Sequence, residues 1–475
     1  MNMKKQFIFL SALAFIAAAF ISCTEPVDPQ PGPDEQEKPA DLKALKHSVE
    51  VTDNWVWDAR PALSVVIENP NDVAVTATIK TEINTDLKKF VTTVEQTAEV
   101  PAKGKKTVIV TTEQDLEPGF YKAKCFVGNA AKTFTFGISP YDIVSAPDMQ
   151  PDFDEYWANA KLSLPELVEG ETVKLIEVTP HSSANSKVYL VEMQSAPNSP
   201  DGEPVIVRGF YVEPQDGQKH PVIMHFFGWD DRGGSVTVPS GGSGAYAEFY
   251  LSTRGQYHNN RAAAYEKKES WIAEHGEWYA ADPCDYASIM KPNDKYNWFG
   301  FNFGDKDGFY YRGAFLDCVQ AVRFMASRPT SDMTNLFAEG SSQGGALSYA
   351  CAALSDYPFS AIACNVAFLG DYSDYFRIVT WPGDTAKANK GSMTDEEMYA
   401  FLSYYDTKNL ATKISCAVLA SSGLQDGTCP PHTNFAAFNN VNTTDKEMII
   451  DPKMGHSYPA GWSTKQANFF KERIK

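Results

Sequence analysis

One short stretch constrains the chain more than any other: Gly340-Ser341-Ser342-Gln343-Gly344-Gly345. An apolar run, Leu336-Phe337-Ala338, leads into it, and a small-residue run from Ala346 to Leu354 leads out. This spells a strand, a sharp turn and a helix, with a serine at the turn. The frame Gly-x-Ser-x-Gly fits Ser342 alone, because Ser341 would need glycines where Glu339 and Gln343 stand. In a nucleophile elbow the serine is held in a strained backbone conformation. The flanking glycines are small because strand and helix crowd together there. Any Gly- and Ser-rich loop can match five residues, so the surrounding chain decides whether this turn is a catalytic centre or a loop.

The 475 residues suggest more than one domain, and 43% hydrophobic content is ample for large cores. A formal charge of −18, with no basic stripe, argues against nucleic-acid binding. Residues 1–22 read as an export signal: Lys4 and Lys5 form a positive n-region, and Phe7 to Phe20 an apolar core too short for a membrane span. Phe20-Ile21-Ser22-Cys23 resembles a bacterial lipobox, with Phe20 where leucine is usual. It implies cleavage before Cys23, lipidation of that cysteine and an exported lipoprotein, expected at the outer membrane on its periplasmic or surface face. Residues 23–41, rich in Pro, Asp, Glu and Gln, are expected to be an extended disordered linker. Membrane contact would then run through the lipid anchor only. With Cys23 lipidated, seven of the eight cysteines remain, so at least one is unpaired within a monomer. Cys351, Cys364 and Cys416 lie in apolar runs and read as buried thiols, whereas Cys284 and Cys429 lie in loops and could pair. No CxxC, HExxH or P-loop occurs, so metal, redox and nucleotide chemistry have no support in the motifs and no cofactor is expected.

Residues 42–140 alternate. Strand candidates fall at 47–52, 62–68, 74–81, 90–100, 106–112, 119–127 and 132–138, separated by turns such as Asn69-Pro70-Asn71-Asp72 and Glu117-Pro118-Gly119. Short alternating strands with this punctuation predict an immunoglobulin-like β-sandwich. No catalytic constellation occurs in it. Its expected role is a spacer or packing partner, and Trp55 and Trp57 read as core rather than as a glycan platform.

Residues 141–475 change character. Pro151-Asp152-Phe153-Asp154-Glu155-Tyr156-Trp157 opens a helix, and β-branched runs then alternate with helical patterns. This predicts an α/β-hydrolase fold: a mostly parallel sheet with helices on both faces. Two long stretches, 257–308 and 372–409, read as irregular insertions. A serine hydroxyl needs a base, and the base an orienting carboxylate, in the order Ser, acid, His on loops after strands. After the strand at 416–420 comes Asp426; after the strand at 447–451 comes His456. The predicted triad is Ser342, Asp426 and His456, with Asp371 as the rival acid. The other histidines fit the order worse; His432 follows Asp426 too closely and precedes the next strand. Oxyanion donors are expected from the backbone N–H of Gln343 and, after Gly228, of Trp229.

Together these residues resemble the acetyl xylan esterase / cephalosporin-C deacetylase family, carbohydrate esterase family 7, from about Pro151 to the C-terminus. The marks are Asp152-Phe153-Asp154 with Trp157, Gly228-Trp229, Arg254-Gly255-Gln256, Tyr310-Tyr311-Arg312-Gly313, Gly340 to Gly345, Leu424-Gln425-Asp426 with Pro430-Pro431, and Gly455-His456. The resemblance implies removal of acetyl groups from xylo-oligosaccharides and other small acetylated sugars, without a cofactor. It implies the same triad and oxyanion donors, with Arg254 and Gln256 as supporting scaffold. It also implies a ring-like homo-oligomer, which an added N-terminal domain and tether would obstruct. Trp229 stands where the family has tyrosine, Ser457 where glutamate follows the histidine, and His432 where a small residue follows the prolines. Two other readings share parts of this pattern. One is a prolyl-oligopeptidase-type serine peptidase, though no propeller repeat precedes the domain. The other is a glycan-binding lipoprotein with an inactive hydrolase domain.

Overall fold

Alternating β-branched residues in the first third of the chain bury one face of each strand and leave the other in water. The computed structural model describes residues 40–229, 236–255 and 298–475. The expected export signal, Cys23, most of the expected linker, Gln256, Cys284 and most of the insertion at 257–308 lie outside the described residues. Among the described residues eight strands form before Ser139: β1 Lys46–Glu50, β2 Val56–Trp57, β3 Leu63–Glu68, β4 Val75–Thr85, β5 Phe90–Val100, β6 Lys105–Val110, β7 Gly119–Val127 and β8 Ala130–Ile138. They make one sheet in the order β1-β3-β6 and a second in the order β2-β8-β7-β4-β5. Leu63, Val65, Ile67, Ile79, Ile83, Ala123, Cys125 and Phe136 are buried in this part of the chain. Trp55 is buried against the Phe134 ring, whereas Trp57 is only half-buried, edge-on to Phe136.

The described residues after Ser139 build a nine-stranded sheet with helices packed on it. Its strands are β9 Val173–Glu177, β10 Ser186–Ser195, β11 Val205–Pro214, β12 His220–Phe226, β13 Ala247–Ser252, β14 Ser331–Ser341, β15 Ala361–Asn365, β16 Ala417–Gly423 and β17 Lys446–Asp451. The order is β17-β16-β15-β14-β12-β13-β11-β10-β9. From β13 through β12 to β17 every pairing is parallel, and β11, β10 and β9 continue antiparallel. Parallel strands are buried on both faces and so read as continuous apolar runs. Leu336, Phe337 and Ala338 are all buried, Phe337 stacking on Phe470 of the closing helix, Trp462–Lys471. The helices Tyr310–Ala326 (α2) and Gln343–Leu354 (α3) pack on each other and on β14; the earlier α1 spans Phe153–Leu162.

The stretch at 372–409 departs from expectation. It is not irregular but folds into four short helices, Tyr372–Ile378, Gly383–Asn389, Asp395–Leu402 and Thr407–Ala411. None has more than 8 residues, too few turns for a 3.6-residue period to stand out. Caps define them instead: Thr394 and Glu397 form a reciprocal capping box.

Arg254, at the end of β13, ties sheet to helix. Its guanidinium is 1% exposed and reaches the fully buried Asp317 of α2 at 2.6 and 3.0 Å; the Arg254 N–H adds a third bond at 3.1 Å. Gly313 makes room, since a Cβ there would lie 2.2 Å from the guanidinium. The Tyr310 hydroxyl donates to the Arg254 carbonyl. Arg254→Ala leaves Asp317 charged, buried and short of its partner. Urea unfolding is expected to show a loss of about 3–5 kcal/mol; a loss under about 1 kcal/mol, the scale of an exposed pair, would refute the role.

Candidate active site

Strand β14 ends at Ser341 and α3 begins at Gln343, so Ser342 alone makes the turn, at φ 59° and ψ −118°. Positive φ is costly for a residue with a Cβ and persists only where the surroundings impose it. Here the Ser342 N–H donates to the Asn365 carbonyl at 2.9 Å, and its carbonyl accepts from Phe368 and Ala346 at 3.0 and 3.2 Å. The glycines make the crowding possible. A Cβ on Gly344 would lie 2.2 Å from the Phe226 carbonyl, and one on Gly340 would lie 2.3 Å from the backbone of Gly344.

The parallel strands β16 and β17 deliver two further loops. Asp426 follows β16 and His456 follows β17. The His456 Nδ1–H donates to Asp426 Oδ2 at 2.8 Å. A carboxylate can only accept, so Nδ1 carries the hydrogen and Nε2 of the neutral ring is left as a base. Asp426 Oδ1 accepts from the N–H groups of Thr428 and Cys429 at 2.8 and 2.9 Å, so its own loop fixes it. Its side chain is 0% exposed, whereas that of His456 is 31% exposed.

Gln343 is the first residue of α3, where N–H groups lack helical partners and the helix dipole favours negative charge. Its side chain is buried and accepts from the Tyr311 hydroxyl at 3.0 Å. The Tyr310-Tyr311 pair therefore links the Arg254 node to the elbow. Gly228 brings the loop after β12 over the serine: a Cβ on it would lie 3.6 Å from the Ser341 carbonyl and 3.9 Å from Ser342 Cβ. Trp229 comes next, its ring 5.5 Å from that of Trp381, which stacks on Phe368 at 5.6 Å. These rings form an aromatic wall beside the elbow. Gln256 lies outside the described residues.

Three features escape a reading of motifs. Asn365, fully buried at the end of β15, donates to Ser341 Oγ at 2.7 Å and to the Ser457 carbonyl at 3.1 Å, and accepts from Ser421 Oγ. It joins the serine, acid and histidine segments, yet a lone Asn in a strand carries no spacing signal. Cys429 is a free, buried thiol rather than half of a bridge, and its backbone N–H donates to Asp426. Burial, with Asp426 nearby, pushes that thiol well above the ordinary range. His432, passed over as the base and read as a departure from the family pattern, is buried among carboxylates. Its Nδ1 lies 2.9 Å from Asp86 of the sandwich, and its Nε2 lies 3.4 Å from Asp374 and 3.8 Å from Asp371. Burial opposes the charge on His432, but Asp371, Asp374 and Asp86 carry it up to about 11. Against the same burial penalty, His432 and Lys408 hold Asp371 far below the usual carboxylate range. Asp371, the rival acid, pairs with Lys408 at 3.2 Å in this cluster, while the carboxylate bonded to His456 is that of Asp426.

Residues 141–474 match the family model described as Acetyl xylan esterase (AXE1). Acetyl esterase Axe7A of Xylanibacter ruminicola is 26% identical over 362 residues, covering 74% of this chain and 73% of that protein. The crystal structure of acetyl xylan esterase 1 from Thermoanaerobacterium sp. JW/SL YS485 aligns with a TM-score of 0.55 at 23% identity, over 71% of this chain and 98% of that one. Acetyl xylan esterase from Paenibacillus sp. R4 aligns with a TM-score of 0.57 at 24% identity, over 70% and 98%. At these identities the two structures show a shared α/β-hydrolase fold.

The His432 cluster has a measurable pH signature. The folded-state pKa lies above the ordinary 6.5, so its stabilisation is complete below about pH 6.5 and is lost as pH rises through about 11. Thermal melts of parent and His432→Gln are expected to differ most below about pH 6.5, with the gap closing toward pH 11. A gap independent of pH would show that the ring contributes packing only.

Proposed function

The chain belongs to the acetyl xylan esterase family, as a carboxylic ester hydrolase of the serine-hydrolase type, and on that premise we propose that Ser342, His456 and Asp426 remove acetyl groups from acetylated xylan, xylo-oligosaccharides or similar small acetylated sugars. The observation that carries the assignment is the 2.8 Å bond from His456 to a buried Asp426 on the sheet edge that also bears the strained Ser342. His456 Nε2 takes the Ser342 proton as Oγ attacks the acetyl carbonyl. The carbonyl oxygen becomes an oxyanion, met by the N–H groups of Gln343 and Trp229. Collapse expels the sugar oxygen, which takes the proton from His456. Water then attacks the acetyl-enzyme with His456 again as base, releasing acetate and restoring Ser342. Asp426 keeps the ring in the required tautomer and stabilises the imidazolium in both halves. Arg254 supports the site through its ties to Asp317 and Tyr310.

The family favours this reading over the peptidase and over the inactive glycan binder. The aromatic wall of Trp229, Trp381 and Phe368 suits the apolar face of a sugar ring. Ser342→Ala is expected to lose aryl-acetate hydrolysis and fluorophosphonate labelling together. Asp426→Asn is expected to keep the fold but lower kcat by roughly 10⁴-fold, through the wrong histidine tautomer. Full activity in Ser342→Ala would end the serine mechanism. Acetate release compared across acetylated xylan, mannan and pectin identifies the preferred glycan.

We also propose export and lipidation at Cys23, supported by Lys4, Lys5, the apolar run and Phe20-Ile21-Ser22-Cys23. Among the described residues no helix is long and apolar enough to cross a membrane. Cys23→Ala is expected to move the enzyme from the membrane fraction to the soluble fraction; unchanged membrane association would argue against a lipid anchor.

A further inference from the structure

The loop that carries Asp426 runs from the end of β16 at Gly423 to the helix Pro431–Asn439. Both sides of Asp426 are tied to the N-terminal sandwich. On one side the Gln425 carboxamide accepts from the Thr135 N–H at 2.9 Å and donates to the Thr135 carbonyl at 3.0 Å. Thr135 pairs with Lys122 of β7 on its inner side, while β2 pairs with β8 only at Gly137 and Ile138. The outer backbone groups of Thr135 therefore meet a side-chain amide where a neighbouring strand would otherwise lie. The same Gln425 Nε2 donates to the Pro452 carbonyl at 2.8 Å, and the Gln425 N–H to the Met454 carbonyl at 3.0 Å. Pro452 and Met454 belong to the loop that carries His456. One glutamine thus joins the sandwich, the acid loop and the histidine loop.

On the other side His432 is the second residue of the helix that follows the acid loop, and its Nδ1 lies 2.9 Å from Asp86 Oδ2. Asp86 is buried at the end of β4, where its own N–H donates to the Phe120 carbonyl. Asp371 and Asp374 face the other ring nitrogen. Their outer oxygens are taken by Lys408 at 3.2 Å and Arg377 at 2.9 Å. The carboxylates of Asp86, Asp371 and Asp374 therefore surround the His432 ring, while Lys408, which also pairs with Asp148 at 3.3 Å, and the exposed Arg377 answer only part of their charge. Phe120 of the sandwich packs on Phe435 of the same helix at 5.5 Å. Removing one member of a buried ion pair strands the other, so this contact resists sliding.

We infer that the N-terminal sandwich is a positioning domain for the catalytic acid: Thr135 acting through Gln425, and Asp86 acting through His432, hold the Asp426 loop at the geometry that orients His456. The inference rests on the triad proposed above. It gives the sandwich a part in the reaction although none of its residues is placed among the reacting groups. Gln425 and His432 are positioning residues, because each acts through Asp426.

The test uses the full chain. Gln425→Ala, Asp86→Ala, Asp86→Glu and Ser342→Ala are assayed on an aryl acetate, with competent sites counted by fluorophosphonate titration so that misfolded protein is not counted. Gln425→Ala and Asp86→Ala are expected to lower kcat per competent site by roughly 10- to 100-fold, the scale of a misplaced catalytic group. KM is expected to stay within about 2-fold, since the substrate contacts remain. The acid limb of the kcat profile is expected to move to lower pH, because a loosened Asp426 stabilises the imidazolium less. Asp86→Glu is expected to recover most of the Asp86→Ala loss. Parental kcat per competent site in both alanine variants, beside an inactive Ser342→Ala, overturns the positioning role alone. A fully active Ser342→Ala overturns the triad and the positioning role with it.

Discussion

The reactive edge depends on one close approach, that of the Gly344 backbone to the carbonyl of Phe226. With hydrogen at that position a single residue, Ser342, can separate the end of β14 from the start of α3; a methyl carbon there would sit 2.2 Å from the oxygen. The approach forces Ser342 to a positive φ, because no other residue remains to make the turn. It also brings the start of α3 and the loop carrying Gly228 close to the serine. The turn at Ser342 and the proposed oxyanion site thus rest on one packing event. The strain is held by backbone bonds to Asn365 and Phe368, which come from the next parallel strand and the segment after it.

The sheet explains why the remaining groups converge. Parallel strands present all their C-terminal ends at one edge, so loops after β12, β14, β16 and β17 meet whatever their separation in sequence. Asn365 exploits this by reaching Ser341, Ser421 and Ser457, one from each of three segments. Its amide has donors and acceptors in a fixed plane, which suits a three-way tie better than any charged group would. The Arg254–Asp317 pair serves the same end from below. Its desolvation is costly, and a buried pair is weak evidence of stability as such. What it fixes is the register of α2, and through Tyr311 the side chain of Gln343.

What could be read from sequence follows from the range of each interaction. The elbow was legible because its glycines, serine and flanking periodicities are contiguous. Asp426 and His456 were legible because each follows an apolar strand run. The sandwich strands were legible because period-two alternation persists between clear turns. The helices at 372–409 were not, since each ends before its period can register. Asn365 and the Asp86–His432 contact were hidden for a different reason. Asp86 lies in one fold and His432 in another, 346 residues away, and neither neighbourhood hints at a charged partner. The one local sign was a histidine where the family pattern has a small residue, a departure whose meaning requires the partner to be seen.

That contact changes what the sandwich is. A spacer would meet the enzyme through a surface that tolerates sliding, with exposed ion pairs worth little. Here the junction buries a charged histidine, a carboxylate from the other fold and an aromatic pair, and it uses both backbone groups of Thr135. Such groups are costly to leave unpaired, so the junction has one good register rather than many. The register lands on Gln425 and His432, which flank Asp426, rather than on a remote helix. An added fold that only needed attachment had most of a large surface to use. Attachment on both sides of Asp426, the proposed catalytic acid, ties the rigidity of the sandwich to the one loop whose looseness would cost His456 its orientation.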